Sequence, residues 1–244
     1  MALVGALALA SCVTADVGGE SAQGDPADYD DVNWSGPEGK GDLSGIPAVF
    51  DRHLIMTDEL LHARTAVDAA ALQDFFEMSP YGTRSWLADY TIDGKRFADV
   101  LAAESMIGGI DPVVLLARMQ VESSLVSATV KPSNSKLSHA LGCGCPDSRA
   151  CSAVYSGLVN QLRCATDTLQ ARFGDSVTGE GEWTLQKTKK TLDPISVTPR
   201  SHATAALYAY TPWVLVGRGG SWLVWNVTRK YLKHFDDAGT LRLP

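Results

Sequence analysis

Residues 110–125 read IDPVVLLARMQVESSL, and no other stretch restricts the fold of this chain as tightly. Asp111 followed by Pro112 is a helix start: the carboxylate can cap free backbone N–H groups, and proline at the first helical position loses no hydrogen bond. From there Val113, Val114, Leu116, Ala117 and Val121 form a wide apolar face, while Leu115, Met119 and Glu122 line an adjoining stripe. A helix of this composition belongs in a core. It brings Glu122 to the edge of that core, near its own C-terminal end.

A carboxyl held against apolar groups loses the hydration that favours its charged form, so its pKa rises toward the range of a general acid. Glu122 is therefore the catalytic candidate. The competing reading makes it a solvated helix residue paired with Arg118 four positions earlier, a weaker orientation than the reverse order.

The rest of the chain reads as mostly helical. Helices are expected at 65–78, at 97–107 with a stop at Gly108-Gly109, at 111 to about 123, and at 158–173 closed by Gly174. Two more follow at 200–210, stopped by Pro212, and at 222–235. Residues 184–197 carry two β-prone runs around Asp193-Pro194 and suggest a short hairpin. The expected class is mainly α: a bundle around a central helix, with at most a small β-hairpin. No repeat or long heptad appears.

The run 115–125, LLARMQVESSL, resembles the catalytic helix of the lysozyme-like glycosidases, especially soluble lytic transglycosylases and related bacterial N-acetylglucosaminidases, in which a glutamate followed by serine ends a helix. Residues 202–214, HATAALYAYTPWV, are similar to the later segment of those families that carries a tyrosine into the sugar cleft. Residues 140–147 and 155–161 stand where those families have a glycine-rich, glutamine-bearing loop, here rebuilt around cysteines. The resemblance spans roughly residues 66–235. It implies an α+β lysozyme-like fold, Glu122 as general acid and then base, and Tyr210, Tyr208, Ser123 and Gln161 as substrate-binding residues. Tyr208 and Tyr210 are two apart and diverge, so Tyr210, just before the break at Thr211-Pro212, is the one expected to face the cleft. Glycoside chemistry generally uses a second carboxylate. Asp147 and Asp193 are available, but both sit in turn-like contexts. Without one, the resemblance implies that the substrate's own acetamido or 6-hydroxyl group traps the anomeric carbon, giving hydrolysis or an anhydro sugar. Trp183, Trp213, Trp222 and Trp225 make the C-terminal third aromatic; stacked indoles suit sugar faces, but core positions are the expectation for most.

Charge is unevenly distributed. The chain has 244 residues, 45% of them hydrophobic, enough for one substantial core. Its formal charge of −7 resides between residues 13 and 45, which hold eight acids and one base; residues 46–244 balance 20 acids against 20 bases. No basic field points to nucleic acid. Residues 1–11 are almost wholly apolar, too short to span a bilayer as a helix, and lead into Leu9-Ala10-Ser11-Cys12. This resembles a bacterial lipobox, which implies removal of the preceding residues, a lipid on Cys12, and, with Val13 after it, sorting to the outer membrane facing the periplasm. The expected organisation is a signal segment 1–12, an acidic tether 13–45 rich in Gly, Asp, Pro and Ser, and a helical domain 46–244.

Apart from Cys12 there are four cysteines, Cys143, Cys145, Cys151 and Cys164, an even set that suits the oxidising compartment which the lipobox resemblance implies. Of three pairings, a bridge across the single residue between Cys143 and Cys145 is geometrically poor, which favours Cys145–Cys151 with Cys143–Cys164. Zinc held by His139 and three thiolates is the competing idea, but the spacing fits no standard finger or ribbon, so no metal and no cofactor is expected. The functional expectation is a monomeric, lipid-anchored enzyme lysing peptidoglycan glycan strands at β-1,4 linkages. Two other classes compete with it: a peptidoglycan-binding lipoprotein that keeps the fold without catalysis, and a scaffold for another envelope protein.

Overall fold

The computed structural model describes residues 43, 45–64, 66–145 and 150–242. Cys12, almost all of the acidic stretch 13–45, and Asp147 lie outside the described residues. The chain is mainly helical, as its periodicity predicts. Among the described residues the helices are α1 (Asp58–Leu61), α2 (Ala69–Glu77), α3 (Phe97–Gly108), α4 (Pro112–Ser123), α5 (Asn134–Ser138), α6 (Leu158–Thr178), α7 (His202–Tyr210) and α8 (Gly220–Asp237). Two antiparallel pairs complete it: β1 (Thr91–Ile92) with β2 (Lys95–Arg96), and β3 (Lys189–Lys190) with β4 (Ser196–Val197).

Helix α4 is the axis of the structure. Asp111 caps it, accepting from the Val113 N–H at 2.6 Å, and every residue from Pro112 to Gln120 is buried. Its main neighbours are α8, α3 and α6, while α6 also packs along α7 and α3. Each fully buried Val or Leu of α4 contributes about 1.5–3 kcal/mol of transfer free energy, so this helix anchors the core. It ends at Ser124, which takes the left-handed conformation (φ 51°), with its N–H donated to the Gln120 carbonyl. The Gln120 side chain then ties the following turn, bonding both the N–H and the hydroxyl of Ser127 at 3.1 Å.

Two local expectations are corrected. Gly174 does not close α6, which continues to Thr178 and stops at Gly179 in the left-handed region (φ 76°). A glycine inside a helix costs only about 1 kcal/mol, and the packing of α6 on α7 and α3 outweighs that. The helix expected from residue 65 begins at Ala69, because Asp68 caps it through the Ala71 N–H. Ser201 likewise sets the start of α7, accepting from Thr204 N–H. The hairpin expected within 184–197 is present as β3–β4. The β1–β2 hairpin was not foreseen, although its turn, Asp93-Gly94 with φ of 51° and 76°, is a common two-residue hairpin signal.

The crossing of α3 and α6 has a bearing on the site, because α6 carries Gln161 and Cys164. Gly108 meets Thr166 so closely that a Cβ there would lie 2.5 Å from the threonine side chain. Gln170 caps the end of α3 by donating to the Gly108 and Gly109 carbonyls, and Glu104 pairs with both arms of Arg163. The position of α6 is thereby fixed relative to α3 and α4.

Candidate functional site

The structure places Glu122 as its composition suggested, at the end of α4 with a side chain only 8% exposed. It also supplies the partner that the sequence offered as the competing reading. Arg118, one turn back, donates from Nη2 to Glu122 Oε1 and is itself fully buried. The other arm of Arg118 donates to Thr211 Oγ1 at 2.7 Å, and its guanidinium carbon stands 4.2 Å from the centre of the Tyr210 ring. The pair exists, but inside the protein and not on a solvated face.

Two forces act on the Glu122 proton. Burial raises its pKa and the Arg118 charge lowers it; burial wins, and the carboxyl is pushed up to about 7. The Glu122 proton is thus held more tightly than that of a free carboxyl, with a cation beside it to stabilise the carboxylate once that proton leaves.

The second oxygen of Glu122 faces backbone. Gly142 (φ 66°) passes so close that a Cβ on it would lie 2.9 Å from Oε2, so only glycine lets the 140–143 loop lie against the carboxyl. That loop is held residue by residue. The Ser123 hydroxyl lies 2.8 Å from the Met119 carbonyl and 2.9 Å from that of Ala140. The Tyr210 hydroxyl donates to the Leu141 carbonyl at 3.0 Å. Gln161 accepts from the Leu141 and Cys143 N–H groups and donates to the Cys143 and Tyr155 carbonyls. The Cys143–Cys164 disulfide ties the same loop to α6, and Cys145–Cys151 closes the segment beyond it, both as the spacing favours.

Ser123, Gln161 and Tyr210 are thus brought together around Glu122, with a different occupation from the one expected of them. All three hold the loop that covers the acid, and both polar atoms of the buried Gln161 amide are engaged with backbone. Tyr208 is a correction: it is fully buried, its ring stacks on Trp183 at 5.0 Å, and its hydroxyl has no hydrogen-bond partner among the described residues. The divergence of Tyr208 and Tyr210 is as predicted, and Tyr210 is the one on the Glu122 side. Trp183 and Trp225 are buried core residues, while Trp213 and Trp222 are partly buried.

Asp193 is engaged elsewhere. Its carboxylate accepts from the Val214 and Leu215 N–H groups at 3.0–3.2 Å and from the Thr191 hydroxyl at 2.6 Å. Burial alone would raise its pKa, but these donors outweigh burial and lower it. It locks the β3–β4 hairpin onto the segment after α7. His139 does lie beside Cys145 and Cys151, with ligand atoms within 4.8 Å of one another, but both sulfurs belong to the disulfide and are not thiolates.

Sequence reading placed the Arg118 pairing on a solvated face where the structure buries it, and it missed Gly142 as the cover. The burial of that pair was legible in the apolar composition of the helix that carries both residues. Neither a family model, nor a curated protein, nor a solved structure matches this chain.

Proposed function

We propose that this protein is a glycan-strand lytic enzyme of the cell envelope, acting on the β-1,4-linked amino-sugar polymer of peptidoglycan with Glu122 as its acid. The observation that carries the reading is a nearly buried carboxyl, pushed up to about 7, with a buried arginine beside it. The resemblance of residues 115–125 and 202–214 to lysozyme-like enzymes supplies the substrate class. Protonated Glu122 gives its proton to the glycosidic oxygen as the bond to the anomeric carbon breaks, and Arg118 stabilises the carboxylate that results. The substrate's acetamido group traps the anomeric carbon. Glu122 then takes a proton from the attacking water or 6-hydroxyl. The lipobox-like Cys12 supplies the anchor, and the acidic stretch the reach to a polymer lying off the membrane.

The ion pair itself favours a second reading, in which the same fold binds glycan without cleaving it and Glu122 serves only to neutralise Arg118. Mass spectrometry of muropeptides separates the two. The mature protein incubated with sacculi should release new reducing or anhydro ends, and Glu122→Gln, checked by circular dichroism to be folded, should release at least ~10²-fold fewer. Glycan binding with no new ends from the parent protein would establish the second reading.

A further inference from the structure

A concavity that the Glu122 site does not involve lies elsewhere in the fold. A cavity of about 580 Å³ opens between residues 47–53, which lead into α1, and the segment that carries Ile195, Val214 and Val216. This volume is within the range of small-molecule sites. Its walls are apolar: Val49, Phe50, Ile195, Val214 and Val216. Two of them stand largely in water, Val49 at 78% and Val216 at 60% exposure, so an apolar occupant would cover surface that the chain itself leaves wet.

The polar groups that the cavity leaves unengaged are all donors. Asp51 is neutralised, with one oxygen accepting from the His53 N–H at 2.8 Å and the other from Arg200. His53 accepts the Thr198 N–H on Nδ1 at 2.9 Å, which puts the proton of the neutral ring on Nε2 as a donor. Arg52 donates through Nε to the Ser196 carbonyl at 3.1 Å, which fixes the guanidinium. Its two terminal nitrogens, and His53 Nε2, have no protein partner among the described residues. With Asp51 set against Arg200, Arg52 leaves the lining net positive.

From this geometry we infer a binding site for an amphiphilic carboxylate, its apolar body against Val49, Phe50, Ile195, Val214 and Val216 and its carboxylate on the Arg52 fork and the His53 N–H. A fork of parallel N–H groups matches a carboxylate in two bonds, which an ammonium or a hydroxyl cannot reproduce. The walls rest on a rigid base: Trp225 packs edge-on to Phe50 at 5.5 Å and donates to the Pro47 carbonyl at 3.0 Å, and Arg229 donates to the same carbonyl. The site needs no movement of the loop over Glu122 and stands independently of the reading of that residue.

The test is calorimetric titration of the full mature chain with straight-chain carboxylates from butyrate to decanoate, with octanol and octylammonium as controls. Affinity should rise by up to about fourfold per added methylene until the cavity is full, and octanoate should exceed both controls. Arg52→Gln should cut octanoate affinity about tenfold and abolish the preference over octanol. Val216→Glu, at an exposed position, should weaken the whole series by setting a like charge at the mouth. Glu122→Gln should bind like the parent. A flat chain-length series, equal binding of octylammonium, or unchanged binding in both Arg52→Gln and Val216→Glu would overturn the inference.

Discussion

Glu122 and Asp193 are both carboxylates that the sequence offers for catalysis, and the protein treats them in opposite ways. Around Glu122, burial exceeds the compensating charge, and the carboxyl is pushed up to about 7. Around Asp193, two backbone N–H groups and a hydroxyl exceed the effect of burial and keep the group ionised. Several donors converging on a carboxylate make it a structural clamp, whereas burial with a single cation beside it leaves the proton exchangeable. The difference lies in the number of N–H groups aimed at each acid.

The largest expected effect breaks the comparison or keeps it. Glu122→Gln should lower the rate of end release from sacculi ~10²-fold or more, while Asp193→Asn, which leaves the Glu122 environment untouched, should retain activity within a few-fold and lose stability. Equal losses in both variants, measured on folded protein, would mean that the two acids do not differ in role. The pH profile sharpens the same point: because the acid must be protonated, activity should decline as pH rises through about 7.

The second effect concerns stability. Glu122→Gln leaves Arg118 buried without its counter-charge, which should cost about 3 kcal/mol in denaturant unfolding. The double variant Arg118→Met with Glu122→Gln removes both charges and should regain most of that loss. A double variant as unstable as the sum of its singles would show that the pair is not coupled.

These contrasts also define what the sequence could disclose. The burial of α4 was legible because helical periodicity determines which side chains share a face, and the pairing of the cysteines in part, because a Cys143–Cys145 bridge is geometrically poor and that leaves two of three pairings. The loop over Glu122 was not. Its position depends on the Leu141 and Cys143 backbone meeting a glutamine 18–20 residues later and on a tyrosine hydroxyl 69 residues away, and no local propensity encodes contacts of that range. The same limit explains Gln161, Ser123 and Tyr210. The resemblance pointed to these three residues, but only their bonds show that they hold the loop.

A third contrast runs along α4 itself. Asp111 at its start is fully buried, its Oδ2 has no partner among the described residues, and burial pushes it up to about 8. Both acids of this helix have folded-state pKa values above their unfolded ones, so each binds its proton more tightly in the native state. Their contribution is fully present below the unfolded values near 4 and is lost as pH rises through about 7 for Glu122 and about 8 for Asp111. Asp193 has the opposite sign: its contribution is present above its unfolded value and is lost as pH falls through its lowered folded one. Unfolding free energy should therefore decline between pH 5 and 8, by up to about 1.4 kcal/mol per pH unit for each proton released. Asp111→Asn retains a good capping side chain and should flatten that decline. An unchanged slope in the variant would show that Asp111 is ionised in the folded protein.

The smallest effect is the most informative about the cover. Gly142→Ala places a methyl group where φ is 66° and where Glu122 Oε2 would lie 2.9 Å away, so the loop must shift outward at a cost of about 1–2 kcal/mol. The disulfide to α6 and the four bonds of Gln161 restrain that shift without preventing it. As the loop lifts, water reaches the carboxyl, burial weakens, and the Arg118 charge gains relative weight. The Glu122 pKa should fall, and the alkaline limb of the activity profile should move to lower pH with it. A loop that only obstructs substrate would give the opposite pattern, with higher activity at every pH and a limb that stays in place.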